Sequence, residues 1–132
     1  MKKTLFFCLL YFITINVFAR SCPPANQVVY RGGDGVYHVA PPAGWKLSED
    51  KRHNKYNKDY VFRVAAWGDH KHPTDNVRCY YYDASGRDYG HIQIETIDFF
   101  DKSHVASWHD NNDPLYALCV SRSDDVSQCS FK

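Results

Sequence analysis

The sequence lacks an excess of charge of either sign, since 16 lysines and arginines stand against 15 aspartates and glutamates in 132 residues. This balance excludes a broadly basic nucleic-acid surface and an acidic solvating tail. Internal repeats and coiled-coil heptads are missing, so a chain of this length is expected to form one domain. The chain also has no CxxC pair and no Gly-x-Ser-x-Gly motif. Their absence argues against a structural zinc site and against a hydrolase nucleophile elbow.

A long hydrophobic run occurs only near the start of the chain. Two lysines precede an apolar stretch from residue 5 to residue 18, and Ala19 supplies the small residue that signal peptidase needs before its cut. We therefore predict that residues 1–19 are a secretory signal peptide. Residues 20–132 are then expected to form a single disulfide-bonded β domain with a formal charge of −1.

Two other interpretations of this apolar segment fit the sequence less well. A membrane anchor needs roughly 20 apolar residues, and this stretch is shorter. Lipidation at Cys22 requires small apolar residues before the cysteine, and Arg20 departs from that pattern. The predicted location is therefore periplasmic or secreted, with no stable membrane span after cleavage.

Four cysteines remain after this cleavage: Cys22, Cys79, Cys119 and Cys129. An even number of cysteines in a small exported chain indicates disulfide bonds. Four cysteines allow three pairings. Cys119 and Cys129 flank a turn-like run of serine and aspartate, which favours a bond between them and leaves Cys22 to join Cys79. The other two pairings stay open at this point.

Most of the remaining sequence alternates with a period of two, the pattern of β strands. Strands are predicted at 27–31, 36–39, 59–67, 77–82, 91–97, 115–120 and 126–131. The first two and the last two of these strands are expected to form hairpins, and residues 48–59 are expected to form a polar loop. The predicted fold is mainly β, a small antiparallel β-sandwich or barrel with disulfides and at most one short helix.

Several short motifs follow one another in a recognisable order. They are an opening Cys-Pro, a Gly-Trp, a mid-chain Cys-x-Tyr, a tryptophan and a closing Cys-x-Phe: Cys22-Pro23, Gly44-Trp45, Cys79-Tyr80-Tyr81, Trp108 and Cys129-Ser130-Phe131. This order resembles a family of small exported gammaproteobacterial proteins of unknown function. Less closely, it resembles periplasmic proteins associated with type IV secretion. Both resemblances imply a compact β domain outside the cytoplasm, and neither supplies catalytic residues.

Histidines supply the candidate metal ligands. On an extended stretch His70 and His72 point to the same side, which suits zinc or copper binding with His104 or His109 as a third ligand. The alternative is a solvated loop, which Pro73 favours. We predict no cofactor and keep a metal-binding or hydrolytic domain as the alternative function.

Catalytic residue types occur without an arrangement that points to catalysis. Serine and histidine occur close together at 103–104, and serine, histidine and aspartate at 107–110. A catalytic triad, however, is recognised by geometry rather than by closeness in sequence. Glu49 and Glu95 are the only glutamates, and nothing in the sequence brings them together. We predict no catalytic residues and a protein that is not an enzyme.

Aromatic residues give the candidate binding surface. Tyr80 and Tyr82 share one face of a strand, and exposed tyrosines and tryptophans are frequent in interfaces. The predicted binding residues are Trp45, Trp67, Tyr80, Tyr82 and Trp108. The preferred function is a non-enzymatic binding module with an envelope or secreted protein partner, linked to secretion or envelope assembly. A homo-oligomeric envelope component, joined through edge strands, is a further alternative.

Overall fold

The computed structural model describes residues 20–51, 56–68, 75–86 and 90–132. Within these residues it contains one short α helix, seven strands and two 3₁₀ helices. In chain order they are α1 (Ala25–Val28), β1 (Val29–Arg31), β2 (Tyr37–Val39), β3 (Trp45–Asp50), β4 (Tyr60–Gly68), β5 (Val77–Asp83), β6 (His91–Thr96), a first 3₁₀ helix (Lys102–Val105), β7 (Tyr116–Val120) and a second 3₁₀ helix (Val126–Cys129).

The strands form two antiparallel sheets. β1 and β2 make a hairpin, and the other five strands form a sheet in the order β3, β6, β5, β4, β7. Within the described ranges the edge strands β3 and β7 do not pair with each other, so the sheet is not closed into a barrel. The prediction of a mainly β fold with disulfides and one short helix is confirmed.

Clean alternation in β5 and β6 sets the two faces of this sheet. In β6, Ile92, Ile94 and Thr96 are buried while the residues between them are half-exposed. In β5, Cys79 faces Ile94 and Tyr81 faces Ile92, so the buried residues of both strands lie on one face. This is the division that the period-two pattern predicts for residues 91–97.

The core lies on that face of the sheet, under α1, the hairpin and the segments after β6. Val28 of α1 and Val105 of the first 3₁₀ helix are fully buried there, and Tyr37 of β2 packs against the same cluster. Phe131 is also buried, and its ring meets Phe100 edge to face with centroids 5.1 Å apart. We call this side the covered face.

Three local predictions were wrong. Residues 27–28 belong to α1 rather than to a strand, because the carbonyl of Pro24 at the N-cap accepts a hydrogen bond from the Gln27 amide at 2.9 Å and begins a helical turn. Residues 48–50 belong to β3 rather than to a loop, since an edge strand tolerates polar side chains. In the segment 126–131, Val126–Cys129 form the second 3₁₀ helix instead of a hairpin strand, because the Asp125 carboxylate accepts a hydrogen bond from the Ser127 amide at 3.0 Å and caps the turn.

Two disulfides attach the ends of the chain to this framework. Cys22 bonds to Cys79 of β5, and Cys119 of β7 bonds to Cys129 of the second 3₁₀ helix. These are the pairings that the spacing of the cysteines favours. Since all four cysteines are buried, both bonds are part of the core.

A close backbone approach fixes Gly68 at the end of β4. Its φ is +72°, and a side-chain Cβ there would lie 2.2 Å from the carbonyl oxygen of Leu115. Only glycine meets both conditions, which lets β7 begin directly beside the end of β4.

The two ends of the described fold meet. The backbone amide of Arg20 donates to the carbonyl of Phe131 at 2.6 Å, and the Phe131 amide donates back at 2.7 Å. In the described ranges no helix combines the length and the hydropathy that crossing a bilayer requires.

Candidate functional site

The five-stranded sheet also has a face that points away from the core, which we call the open face. Strand alternation and pairing register place side chains from all five strands on it. Apart from Ala66, each of them is half-buried or exposed. From one edge to the other they are Lys46 and Glu49 of β3, His91, Gln93 and Glu95 of β6, Arg78, Tyr80 and Tyr82 of β5, Val61, Val64 and Ala66 of β4, and Tyr116, Leu118 and Val120 of β7.

The open face changes in character across the sheet. Charged, amide and imidazole side chains occupy β3 and β6, and the central strand β5 carries two tyrosines and Arg78. β4 and β7 contribute mainly aliphatic side chains, with Val64 opposite Val120 and Ala66 opposite Leu118, and Tyr116 lies at the start of β7. The surface is therefore apolar toward one edge, aromatic at its centre and polar toward the other edge.

His91 lies at the aromatic centre. Its ring centroid is 5.5 Å from that of Tyr80 and 5.6 Å from that of Tyr82, with both ring pairs tilted. Nε2 of His91 lies 3.0 Å from Oε2 of Glu49, a hydrogen-bonding distance across β6 and β3. The two tyrosines and the carboxylate therefore hold the imidazole ring in one orientation.

Opposite charges are paired along the polar edge. Nζ of Lys51 lies 2.8 Å from Oε1 of Glu49, and Nζ of Lys46 lies 3.1 Å from Oε1 of Glu95. The hydrogen bond from Lys51, with a further contribution from His91, holds the pKa of the Glu49 carboxyl below its usual value. The same contact with Glu49 raises the pKa of Lys51. Glu49 and Lys51 are thus both charged at neutral pH and balance each other.

The tyrosine hydroxyls on this face stay protonated well above neutral pH. Partial burial raises the pKa of Tyr80 and of Tyr82. Both hydroxyls can therefore donate as well as accept a hydrogen bond. An arriving partner would meet ring surface together with hydroxyl donors.

Of the predicted binding residues, Tyr80 and Tyr82 lie on the open face. The three tryptophans lie on the covered side. Trp67 and Trp108 are 7% and 2% exposed, and their indole N–H groups donate to the carbonyls of Phe100 at 2.6 Å and Ser130 at 2.9 Å. Both are core residues with satisfied hydrogen bonds, so they offer no exposed ring to a ligand.

Trp45 is the third predicted tryptophan and lies at the edge of the covered side. It faces the buried Thr96 across β3 and β6. Its ring is half-buried and meets Phe131 edge to face at 6.3 Å. The sequence marks these aromatic side chains as large, but burial depends on which other segments pack against them.

The predicted metal ligands are only partly within the described structure. His70 and His72 lie outside the described residues. His104 is half-exposed, and its Nδ1 lies 3.0 Å from Oδ1 of Asp101. In the ranges that the structure describes, no group of three histidine, cysteine or acidic side chains is close enough to hold a metal.

Ser103 and His104 lie in the first 3₁₀ helix, and both contact Asp101, which caps that helix. Asp101 accepts hydrogen bonds from the amide and the hydroxyl of Ser103 and caps the first 3₁₀ helix. The Ser103 hydroxyl is thus directed to Asp101 rather than to His104. This arrangement does not form the relay from serine to histidine to aspartate that nucleophilic catalysis uses.

His91 and Glu49 were not among the predicted site residues. The alternation of 91–97 does place His91 on the solvent side, but it does not show which residues lie beside it. Glu49 was assigned to a loop, so its proximity to His91 had no signal in the sequence. The two residues meet because β3 pairs with β6 at the edge of the sheet.

Comparisons with protein-family models, with curated proteins and with solved structures found no match to this chain. The resemblance to exported gammaproteobacterial proteins therefore stays a prediction. Function is inferred from the geometry of the chain itself.

Proposed function

We propose that this chain is an exported, non-enzymatic binding module whose open face contacts an envelope or secreted protein partner. The observation that carries the proposal is the asymmetry of the five-stranded sheet. Its covered face is filled by side chains of the core, whereas the open face presents tyrosines and aliphatic residues that are only half-buried.

The composition of the open face supports a protein as the partner. Protein interfaces are rich in tyrosine and poor in unpaired charge at their centre, and polar at their rim. Tyr80 and Tyr82 lie on the central strand, and the paired charges of Glu49 and Glu95 lie toward one edge. A flat sheet surface of this kind suits a broad protein contact better than a small ligand, because ligand sites are concave.

The edge strands favour contact through the face rather than through the edges. β3 has an irregular register between Leu47 and Glu49 and carries charged residues, which hinder pairing with another strand. At the other edge, Leu118 of β7 exchanges backbone hydrogen bonds with Asp110. Assembly of copies by strand addition is therefore less favoured than binding of a partner across the sheet.

Export is supported by the covalent framework and by the start of the described fold. Disulfides form and persist in oxidising compartments outside the cytoplasm. The backbone nitrogen of Arg20 donates to Phe131. An amino group released at Arg20 by cleavage after Ala19 can make the same hydrogen bond, so the proposed cleavage leaves this contact in place.

A site-specific crosslinker tests the surface. A photoreactive amino acid at position 82 in producing cells is expected to give a discrete adduct with a second protein. The matched control is position 99, because Phe99 is an aromatic residue that is 74% exposed and lies outside the strands of the sheet. We expect no such adduct there, and Tyr80→Ala should abolish the adduct formed at position 82.

Each other outcome of this experiment counts against the proposal. An adduct at position 82 with a second copy of the chain would support the homo-oligomeric alternative instead. Adducts of equal yield at positions 82 and 99 would show non-specific contact. Failure to crosslink at position 82, with near-ultraviolet circular dichroism showing a folded protein, would remove the open face as the binding surface.

The export step has its own test. Amino-terminal sequencing of the protein recovered from producing cells should begin at Arg20, with four cysteines resistant to alkylation unless reduced. Recovery of the full chain with free thiols in the cytoplasm would contradict export, whatever the crosslinking result.

A further inference from the structure

A groove lies beside the first half of β4. It has a volume of about 490 Å³ and lies between the α1–β1 segment with Tyr37 on one side and residues 57–61 on the other. Its volume falls in the range of small-molecule sites, which is roughly 300–1,000 Å³. The groove borders the open face at Val61, and the side chains of Arg31, Lys58 and Tyr37 lie outside that face.

The groove carries more positive than negative charge. Arg31 and Lys58 both line it, both are exposed, and neither makes an ion pair within the described structure. Asp124 is the only acidic residue of the lining, and its Oδ1 accepts a hydrogen bond from the Phe62 amide at 2.6 Å. Arg31 and Lys58 therefore have no ion-pair partner among the described residues, and the Asp124 carboxylate is already hydrogen-bonded to the backbone. This excess of positive charge favours an anionic ligand.

The remaining lining offers ring surface and an amide. Tyr37 is half-buried and lines the groove, and it pairs with Arg31 across the hairpin, so the two side chains share one face. The Asn26 side chain is exposed. Asn57 is held in place, since it donates to Asp83 at 3.1 Å and accepts from the Asp59 amide at 2.7 Å.

The neighbouring strand edge is closed to an extended peptide. A peptide that added to β4 here would need the amide of Phe62 and the carbonyl of Arg63. The Phe62 amide already donates to Asp124, and the Arg63 carbonyl accepts from the Ser121 amide at 2.7 Å. The occupant is therefore a compact ligand that uses side chains of the groove.

From these observations we propose that the groove binds a sugar acid, a pyranose ring that carries a carboxylate. The carboxylate pairs with Arg31 and Lys58, since charge-assisted hydrogen bonds from these cations are among the stronger polar contacts. The sugar ring packs on Tyr37 through its apolar C–H face, and the Asn26 amide is within the lining to contact hydroxyls.

Nuclear magnetic resonance titration of the exported, disulfide-bonded protein tests this proposal. Glucuronate is the probe, glucose is the neutral match, and benzoate is the aromatic carboxylate. We expect glucuronate to shift backbone amide resonances of residues 30–31 and 57–58. Its affinity should exceed that of glucose by about tenfold or more, the equivalent of one charge-assisted contact.

Matched variants separate the groove from general charge effects. The double variant Arg31→Gln/Lys58→Gln should weaken glucuronate binding by about tenfold or more. Lys46→Gln also removes a positive charge, but at the polar edge of the open face, and should leave binding unchanged. Tyr37→Leu should weaken binding of both sugars by a similar factor, because it removes the aromatic ring and keeps an apolar side chain against the core.

Three results would overturn the proposal. They are equal affinity for glucuronate and glucose, glucuronate binding that survives the double variant with its amide dispersion intact, and benzoate binding more tightly than glucuronate. None of these results bears on crosslinking at position 82, so this proposal and the protein-binding proposal fail separately.

Discussion

The covered and open faces of the sheet are built from alternate residues of the same strands, yet their environments differ completely. Three consecutive tyrosines of β5 make the contrast plain. Tyr81 is fully buried on the covered face, and its hydroxyl donates to the carbonyl of Pro23 at 2.5 Å. Tyr80 and Tyr82 point the other way and are only half-buried beside His91.

Residue type therefore does not determine which of these tyrosines is buried and which is exposed. Alternation separates them into two sets, and packing decides which set becomes core. The amino-terminal segment, joined to β5 through the disulfide between Cys22 and Cys79, packs on Tyr81 and leaves its neighbours outside. Substitutions on the two faces should therefore differ in effect even where the residues are adjacent in sequence.

The largest contrast should come from truncating a side chain on each face of β4. Phe62→Ala removes a fully buried ring from the covered face and should lower the free energy of unfolding by about 3–5 kcal/mol. Val64→Ala, on the half-buried open face, should cost about 1 kcal/mol or less. Urea denaturation measures both values. Equal losses would show that the open face is packed as tightly as the core.

The two disulfides sharpen the comparison, because both anchor segments to the covered face. Replacing either pair by alanine should cost about 2–4 kcal/mol. The pair Cys22 and Cys79 is 57 residues apart in sequence and the pair Cys119 and Cys129 only 10, so loss of the first should cost more by about 1.5 kcal/mol in the chain-entropy model. Urea denaturation of the two double variants under oxidising conditions provides the measurement. The reverse order would contradict this account of how the covered face is held.

Replacing tyrosine by phenylalanine removes one hydroxyl oxygen and tests which face of the sheet each tyrosine occupies. Tyr81→Phe removes the hydrogen bond to Pro23 and leaves a buried carbonyl without it, so we expect a loss of about 1–2 kcal/mol. Tyr80→Phe is the matched control and should change stability by less than about 0.5 kcal/mol, because its hydroxyl is accessible to water. Equilibrium unfolding at neutral pH distinguishes them. A loss at Tyr80 equal to that at Tyr81 would contradict the assignment of faces.

The smallest effect should come from Glu49 at the polar edge of the open face. Lys51, and then His91, lower the pKa of its carboxyl in the folded protein, so the carboxylate stabilises the fold above the usual pKa of 4.5 and this contribution is lost as the pH falls below it. Glu49→Gln should therefore cost about 0.5 kcal/mol or less at pH 7. The difference from the unsubstituted protein should disappear toward pH 3.

Unfolding curves across this pH range, with Lys51→Gln as a second variant, check the cause of that effect. Lys51→Gln should remove the larger part of the Glu49 contribution, since Lys51 is the main cause of the lowered pKa. A Glu49→Gln difference that stayed constant from pH 7 to pH 3 would show that the carboxylate charge is not involved.

Much of the sheet could be predicted because its central strands carry strong local signals. β4, β5 and β6 are rich in aromatic and β-branched residues, and β6 alternates without interruption. β3 carries no such signal, since an edge strand exposes most of its side chains. The second 3₁₀ helix was also missed, because the local capping by Asp125 outweighs the strand-like pattern of the residues that follow.

The candidate site was predictable only in part for a related reason. The sequence places Tyr80 and Tyr82 on one face of a strand, and the structure agrees. It also marks Trp67 and Trp108 as binding residues, but these rings lie in the core because the segments near Phe100 and Ser130 pack over them. The presence of a tryptophan in the sequence does not show whether its ring is buried or exposed. Its burial depends on contacts between segments that are distant in sequence.

By itself the sequence determined the alternation of the strands, the even set of cysteines that follows the apolar run at residues 5–18, and the balance of charge, because these are local or additive properties of the chain. Only the tertiary structure decided which face of the sheet is covered, and that Glu49 meets His91 between two tyrosines. It also placed Arg31 and Lys58 beside one groove. Each of these contacts joins residues from different strands or segments, and they come together through strand order and packing, which no local pattern records.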